Sequence, residues 1–291
     1  MKRILITGKD SYIGSSFETW VRQWPDRYHI ETIDLRENTW QEQSFSYFDV
    51  IYHVAAIVHV NEAAAENYFK VNRDLTFEVA KKARRDGVNH FIFLSTMGVY
   101  GTERGRITSD TRVSPKTPYA KSKHEAERLL GDLANDAFVI SILRPPLVYG
   151  NNCPGNYAKL IKLALKLPFF PDTNNERSMI FVDNLSEFVR LIIDYRVGGL
   201  LFPQNQEYVN VSELIGYVAK LHQKRVETTK LFNAAVYLGM MFSETLRKVF
   251  GTLTYDMSMS GGPGTTVEGT KFDYYTCSLE ASLEKAEKKS V

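Results

Sequence analysis

Arg3-Ile4-Leu5-Ile6-Thr7-Gly8-Lys9-Asp10-Ser11-Tyr12-Ile13-Gly14 runs from an apolar stretch, through a glycine turn, into a segment of helical pattern. The first five residues suit a strand buried on both faces, and the spacing after the turn predicts a helix over Tyr12–Gln23. The alternation then repeats. Strands are predicted at His29–Ile33, Val50–Val54, His90–Ser95 and Phe138–Leu143. Helices are predicted at Tyr68–Arg85 and Pro118–Leu133, with only a short crossover around Trp40–Tyr47. Apolar strands separated by helices imply an α/β fold, a doubly wound parallel sheet covered on both faces. Ligands of such sheets bind beyond the carboxyl ends of the strands. Thr7-Gly8, Asp34, Ala55-Ala56 and Ser95-Thr96 all fall there.

Past Gly150 the pattern breaks at the turn cluster Asn151-Asn152-Cys153-Pro154-Gly155. A helix is predicted at Asn156–Leu165, and Ile180–Asp183 and Gly199–Phe202 read as returns to the sheet around a helix at Leu185–Ile193. Residues 1–152 and 178–202 therefore read as the sheet domain. Residues 153–177 and 203–291 read as a smaller, mostly C-terminal lobe with little periodicity. Within it Leu231–Phe250 is strongly apolar and carries Arg247 and Lys248 near its end. It reads as a buried helix or a contact between copies, with a membrane interface as the alternative. Glu284–Lys289 reads as a frayed polar tail.

The charge balance is close, 36 Lys+Arg against 34 Asp+Glu, which gives no reason to expect nucleic acid as a partner. Two cysteines, Cys153 and Cys277, make neither a disulfide framework nor a CxxC metal site, so a reduced, cytoplasmic protein without a metal is expected. Ile4–Thr7 is too short an apolar run for a signal peptide, and no run reaches the roughly 18 apolar residues of a spanning helix.

Glycine at the first turn lets backbone N–H groups approach a pyrophosphate at a helix N-terminus. Ser11 stands where the usual middle glycine would be, so a ligand-free strand-to-helix turn is the competing reading. Asp34 ends the second strand, 20 residues after Gly14. A carboxylate there accepts hydrogen bonds from both adenosine ribose hydroxyls and repels a 2′-phosphate, which favours NAD over NADP. Lys9 and Arg36 are cations that argue the other way.

Tyr119 and Lys123 lie four apart, on one face of a predicted helix, 23 residues after Thr96. An ammonium beside a phenol lowers the phenol's pKa and makes a general base, with a hydroxyl such as Thr96 to orient an alcohol. Taken alone the pair also fits a solvated helix face. His53 reads as packing beside a strand end, and His59 has no assigned role.

Seven segments stand in a recognisable order: Thr7–Gly14, Asp49–Ala56, Val71-Asn72, Phe93–Gly101, Tyr119–Lys123, Leu143–Gly150 and Arg177–Asn184. On these the chain resembles the extended short-chain dehydrogenase/reductase superfamily over roughly Lys2–Phe202. The likeness is to its NAD-dependent epimerase/dehydratase family of nucleotide-sugar enzymes, of the UDP-glucose 4-epimerase kind. The resemblance implies a Rossmann fold with a substrate-binding lobe. It implies that Tyr119 is the catalytic acid and base, that Lys123 holds the nicotinamide ribose, and that Thr96 bonds the reacting hydroxyl. Gly8, Ser11, Tyr12, Ile13, Gly14, Asp34, Leu35, Ala55, Ala56, Asn72 and Ser95 would line NAD, and Asn156 and Arg177 the substrate diphosphate. A homodimer through the helices at Tyr68–Arg85 and Pro118–Leu133 is implied as well.

The family's 4,6-dehydratases carry an acidic pair after the hydroxyl residue. Here Met97-Gly98 follows Thr96 and neither transfers a proton, so dehydration is not expected. An NAD-dependent 4-epimerase feeding surface polysaccharide synthesis is the expected activity, ahead of a 4-keto reductase. A sugar bound to polyprenyl diphosphate is a possible substrate only if the apolar segment meets a membrane. A non-catalytic sugar-nucleotide sensor would be expected to lose the tyrosine or lysine that this chain keeps.

Overall fold

The structure, a computed structural model, describes residues 1–58, 65–260, 266–267 and 270–288. Its first half alternates β1 (Lys2–Thr7), α1 (Tyr12–Val21), β2 (Tyr28–Ile33), β3 (Val50–His53), α2 (Ala65–Phe69) and α3 (Thr76–Arg85). Then come β4 (His90–Leu94), a short β5 (Gly105–Ile107), α4 (Pro118–Gly131) and β6 (Val139–Leu143). The second half has β7 (Leu147–Tyr149), α5 (Asn156–Ala164), β8 (Phe169–Pro171), β9 (Met179–Phe181), α6 (Val182–Asp194) and β10 (Gly199–Leu201). It closes with α7 (Val211–Leu221), β11 (Glu227–Thr229), α8 (Asn233–Phe242), α9 (Glu244–Phe250), β12 (Leu253–Tyr255) and α10 (Leu279–Glu287).

Six strands form one parallel sheet in the order β10-β6-β4-β3-β1-β2. Strand periodicity sorts its side chains. Ile4 and Ile6 face a core completed by Phe17 of α1 and Val189 of α6, while Leu5 faces one built with Val79 of α3 and Ala126 of α4. Each fully buried aliphatic side chain contributes roughly 1.5–3 kcal/mol. The direction of travel reverses at β1: α1 leads out to β2, and the next strand, β3, lies on the other side of β1. The crevice beyond Thr7 and His53 is therefore the switch point where such sheets hold ligands. The usual third strand outside β2 is replaced by a single 3-10 turn at Asn38–Gln41, in keeping with the expected short crossover.

Several elements differ from the sequence reading. Met179–Phe181 does not rejoin the main sheet; β9 pairs with β7 as a separate two-stranded ribbon, and only β10 returns, beside β6. The lobe after Pro203 is richer in helix than its weak periodicity implied. Leu231–Phe250 is two helices, broken where Ser243 caps α9, and among the residues of α8 only Val236 is buried. The expected burial of this segment within the chain is thus corrected: among the described residues no element covers its outer face. Nor does Glu284 begin a frayed tail. α10 continues to Glu287 because Leu283 and Ala286 pack into the lobe and Glu287 takes hydrogen bonds from Tyr157 and His222 at 2.6 Å each. Among the described residues no helix is long and apolar enough to cross a membrane.

Candidate active site

Gly8 ends β1 at φ +100°, a conformation that disfavours any side chain, and a Cβ there would lie 2.9 Å from the Cα and N of Ala55. The first turn and the end of β3 thus run backbone against backbone. Ser11, in place of the middle glycine, caps α1 by accepting the Gly14 amide at 3.1 Å. Among the described residues this leaves the amides of Tyr12 and Ile13 as the helix's free N-terminal donors. The cradle fits a pyrophosphate. The Tyr12 side chain turns away from it; its hydroxyl is buried against Gly150 and beside Cys153. Leu35 is buried in the core with Ile33 and Trp40.

Asp34 stands at the carboxyl end of β2, but both its oxygens already accept from Arg36. The hydrogen bonds from Arg36 hold this carboxyl down at about 2. The acceptor and the counter-arguing cation therefore form one exposed pair at the sheet's rim.

Asn72 is wholly buried, at a π-helical turn (Lys70–Leu75) between α2 and α3. Its amide group accepts from the Ile57 N–H at 2.8 Å and donates to the Ile57 carbonyl at 3.0 Å, pinning the segment that follows Ala55 and Ala56. It also donates to Ser122 Oγ at 3.3 Å, and Ser122 donates to the Tyr119 carbonyl at 2.8 Å. One chain of hydrogen bonds thus ties the wall of the crevice to the helix that bears Tyr119 and Lys123.

That helix, α4, starts where Thr117 accepts the Ala120 amide and Pro118 occupies the first turn. Tyr119 is half-buried, edge-on to Tyr68 with ring centroids 6.1 Å apart. Burial pushes its phenol up to about 12, Tyr68 adds to the rise, and the Thr96 hydroxyl pulls against it. Thr96 caps the turn at Met97–Tyr100, accepting from the Gly98 amide at 3.1 Å. Lys123 is completely buried; its Nζ donates to the Leu94 carbonyl at 2.8 Å and lies over the Phe93 ring. Burial pulls its pKa down to about 7, with Glu127 opposing. The sequence reading had the lysine lowering the phenol's pKa. Desolvation dominates both groups, and the phenol moves up instead.

Ser95 points away from the crevice, donating to Glu127 Oε1 at 2.5 Å. Glu127 pairs with Arg144 at 2.6 Å, and Arg144 also donates to the Tyr100 hydroxyl at 3.0 Å. This buried network was missed, although Glu127 falls one turn beyond Lys123 on the same face. His53 is buried and neutral in character: Thr7 and Thr76 hydroxyls flank its ring nitrogens at 2.7 and 2.9 Å, and burial lowers its pKa to about 3. His59 lies outside the described residues. Asn156 is exposed in the first turn of α5, behind Gly155. Arg177 donates to the Gly251 carbonyl at 2.9 Å, at the wall of a cavity of ≈ 510 Å³ lined by Arg104, Asn174, Asn175 and Arg247. A second concavity, of ≈ 640 Å³ around Lys2, Asp26 and Asp194, opens at the amino ends of the strands, away from this chemistry.

Residues 4–200 match the NAD dependent epimerase/dehydratase family. The chain belongs to this family. Its cofactor is accordingly NAD, which the cradle at Gly8 fits. Among curated relatives, a UDP-glucose 4-epimerase of Vibrio cholerae is 33% identical over 65% of this chain and 61% of its own length. An N-acetyl-alpha-D-glucosaminyl-diphospho-ditrans,octacis-undecaprenol 4-epimerase of Escherichia coli O157:H7 is 26% identical over 75% of this chain and 68% of its own. The chain's match thus spans about two thirds of these relatives. A UDP-glucuronic acid 4-epimerase from Bacillus cereus, solved with NAD, shares the fold at a TM-score of 0.73 and 21% identity, covering 97% of this chain and 94% of that one.

Proposed function

We propose that this enzyme epimerises C4 of a UDP-hexose or UDP-N-acetylhexosamine through a 4-keto sugar. The observation that carries the proposal is the meeting of Tyr119 and Thr96 beyond the carboxyl end of β4, two strands along the sheet from the Gly8 turn that ends β1. NAD, held at the Gly8 turn and by Lys123, would supply the hydride acceptor and donor for the sugar carbon. Tyr119 exchanges the proton of the C4 hydroxyl, Thr96 orients that oxygen, and Lys123 holds the cofactor ribose. Met97 and Gly98 offer no acid for eliminating water, since a thioether has no proton to give and Gly98 has no side chain. Within the lobe of residues 153–177 and 203–291, Asn156 and Arg177 hold the diphosphate of the sugar nucleotide. In this reading the enzyme acts in the cytoplasm on activated sugars for surface polysaccharides, as a homodimer through Tyr68–Arg85 and Pro118–Leu133.

One observation favours a second reading. A phenol pushed up to about 12 is held protonated at neutral pH, the form in which a 4-keto reductase starts its cycle. Purified protein incubated with UDP-glucose, UDP-galactose, their N-acetyl forms and the lipid-linked sugar named for the Escherichia coli relative separates the two. Interconversion without added reduced cofactor establishes the epimerase. Consumption of reduced cofactor, only with a 4-keto sugar, replaces it with the reductase.

A further inference from the structure

The outer face of the C-terminal lobe carries several of the most exposed apolar side chains among the described residues. Leu231 and Phe242 are each 81% exposed, Met241 71% and Leu238 60%. Residues 231–242 contain no charged side chain at all. The patch extends to the corner between α5 and β8, where Leu163 and Phe169 stand out. β8 pairs in parallel with β11, which leads directly into Leu231, so Phe169 and Leu231 lie within about 13 Å along the ribbon. Isolated exposed apolar residues need no explanation, but a contiguous face does.

Charge says what covers it. The whole chain is nearly balanced, yet residues 159–171 hold Lys159, Lys162 and Lys166 and no acid. Residues 220–232 add four cations against one acid, Glu227, which Arg225 holds at 3.1 Å. All three lysines of the first segment are exposed. A second copy seated on this face about a two-fold axis would set the basic rim against itself. An anionic lipid surface satisfies the rim and the apolar face together. α8 is about 15 Å long, too short to span a bilayer but suited to lying in its interface.

We propose that α8, with Leu231, Phe232 and the α5–β8 corner, seats this enzyme flat on a bilayer of anionic phospholipid. Tyr237 and Met240 of α8 also line the arginine-bearing cavity of ≈ 510 Å³, so docking brings that cavity beside the headgroups. The docking does not depend on which sugar is turned over.

The whole chain is sedimented with phosphatidylcholine vesicles, with and without phosphatidylglycerol, and turnover of soluble UDP-sugars is read in the same samples. Binding is expected to the anionic vesicles and to weaken with salt. Combined Leu231→Ser, Met241→Ser and Phe242→Ser substitutions should lower the partition about tenfold or more and leave soluble turnover unchanged. Lys162→Gln with Lys166→Gln should lower it roughly tenfold. The proposal falls if the native chain ignores anionic vesicles, if the serine variant binds equally, or if the same serines dissolve a dimer seen by analytical ultracentrifugation. None of these outcomes touches the epimerase reading, which the soluble turnover tests separately.

Discussion

Lys123 Nζ donates to the carbonyl oxygen of Leu94 at 2.8 Å, so the helix bearing Tyr119 is bolted to the carboxyl end of β4, where Ser95 and Thr96 follow. The contact sets the phenol's position relative to the threonine, and it accounts for the complete burial of an amine that solvent would otherwise claim.

Tyr119→Phe keeps the ring that packs on Tyr68 and removes the hydroxyl proposed to exchange the substrate proton. Turnover should fall roughly 10²–10⁴-fold with little change in melting temperature. Full activity in this variant, in a coupled assay, would end the mechanism.

The protein's stability should rise with pH between about 7 and the ordinary lysine value, in the absence of cofactor. Burial pulls Lys123 down to about 7 from 10.5, so across that window the unfolded chain binds a proton that the folded one lacks. Denaturant titrations at several pH values measure this slope, and Lys123→Met should flatten it.

The Glu127–Arg144 pair is buried on both sides, and removing one partner strands the other. Either Glu127→Leu or Arg144→Leu should cost about 3–5 kcal/mol in urea unfolding, and the double substitution should cost less than the sum.

At Gly8 the backbone of Ala55 leaves no room for a methyl group, and φ is in the region that penalises one. Gly8→Ala should destabilise by about 1–3 kcal/mol and abolish NAD binding, read by fluorescence titration or by the loss of ligand-induced stabilisation.

Arg36→Ala should free both oxygens of Asp34 and let its pKa rise back toward the ordinary value. Affinity for NAD should increase relative to NADP, by isothermal titration. An unchanged ratio would show that the Asp34–Arg36 pair has no part in cofactor choice.

The sheet was legible because its strands are short apolar runs whose period and length admit little else, and because Gly8, Thr117 and Pro118 punctuate them. The roles of Ser95 and Tyr12 were harder to see. Both sit at expected motif positions, yet Ser95 turns to a carboxylate 32 residues further on and Tyr12 into the Gly150 corner, contacts that local pattern cannot encode. The same holds for the lobe. Apolarity in Leu231–Phe250 looks alike whether a helix is covered or bare, and only the packing of α7 and α10 elsewhere decides that it is bare.

Among the described residues no strand lies outside β2, and its open margin is an invitation to stray pairing between molecules. Glu31 projects there in solvent, bonded to His29 at 2.9 Å, and the Tyr47 ring stands edge-on against that histidine. Shortening the fold by one strand has thus left a border that charge must guard. Replacing Glu31 with an apolar residue would open this molecule to growing end to end into aggregates.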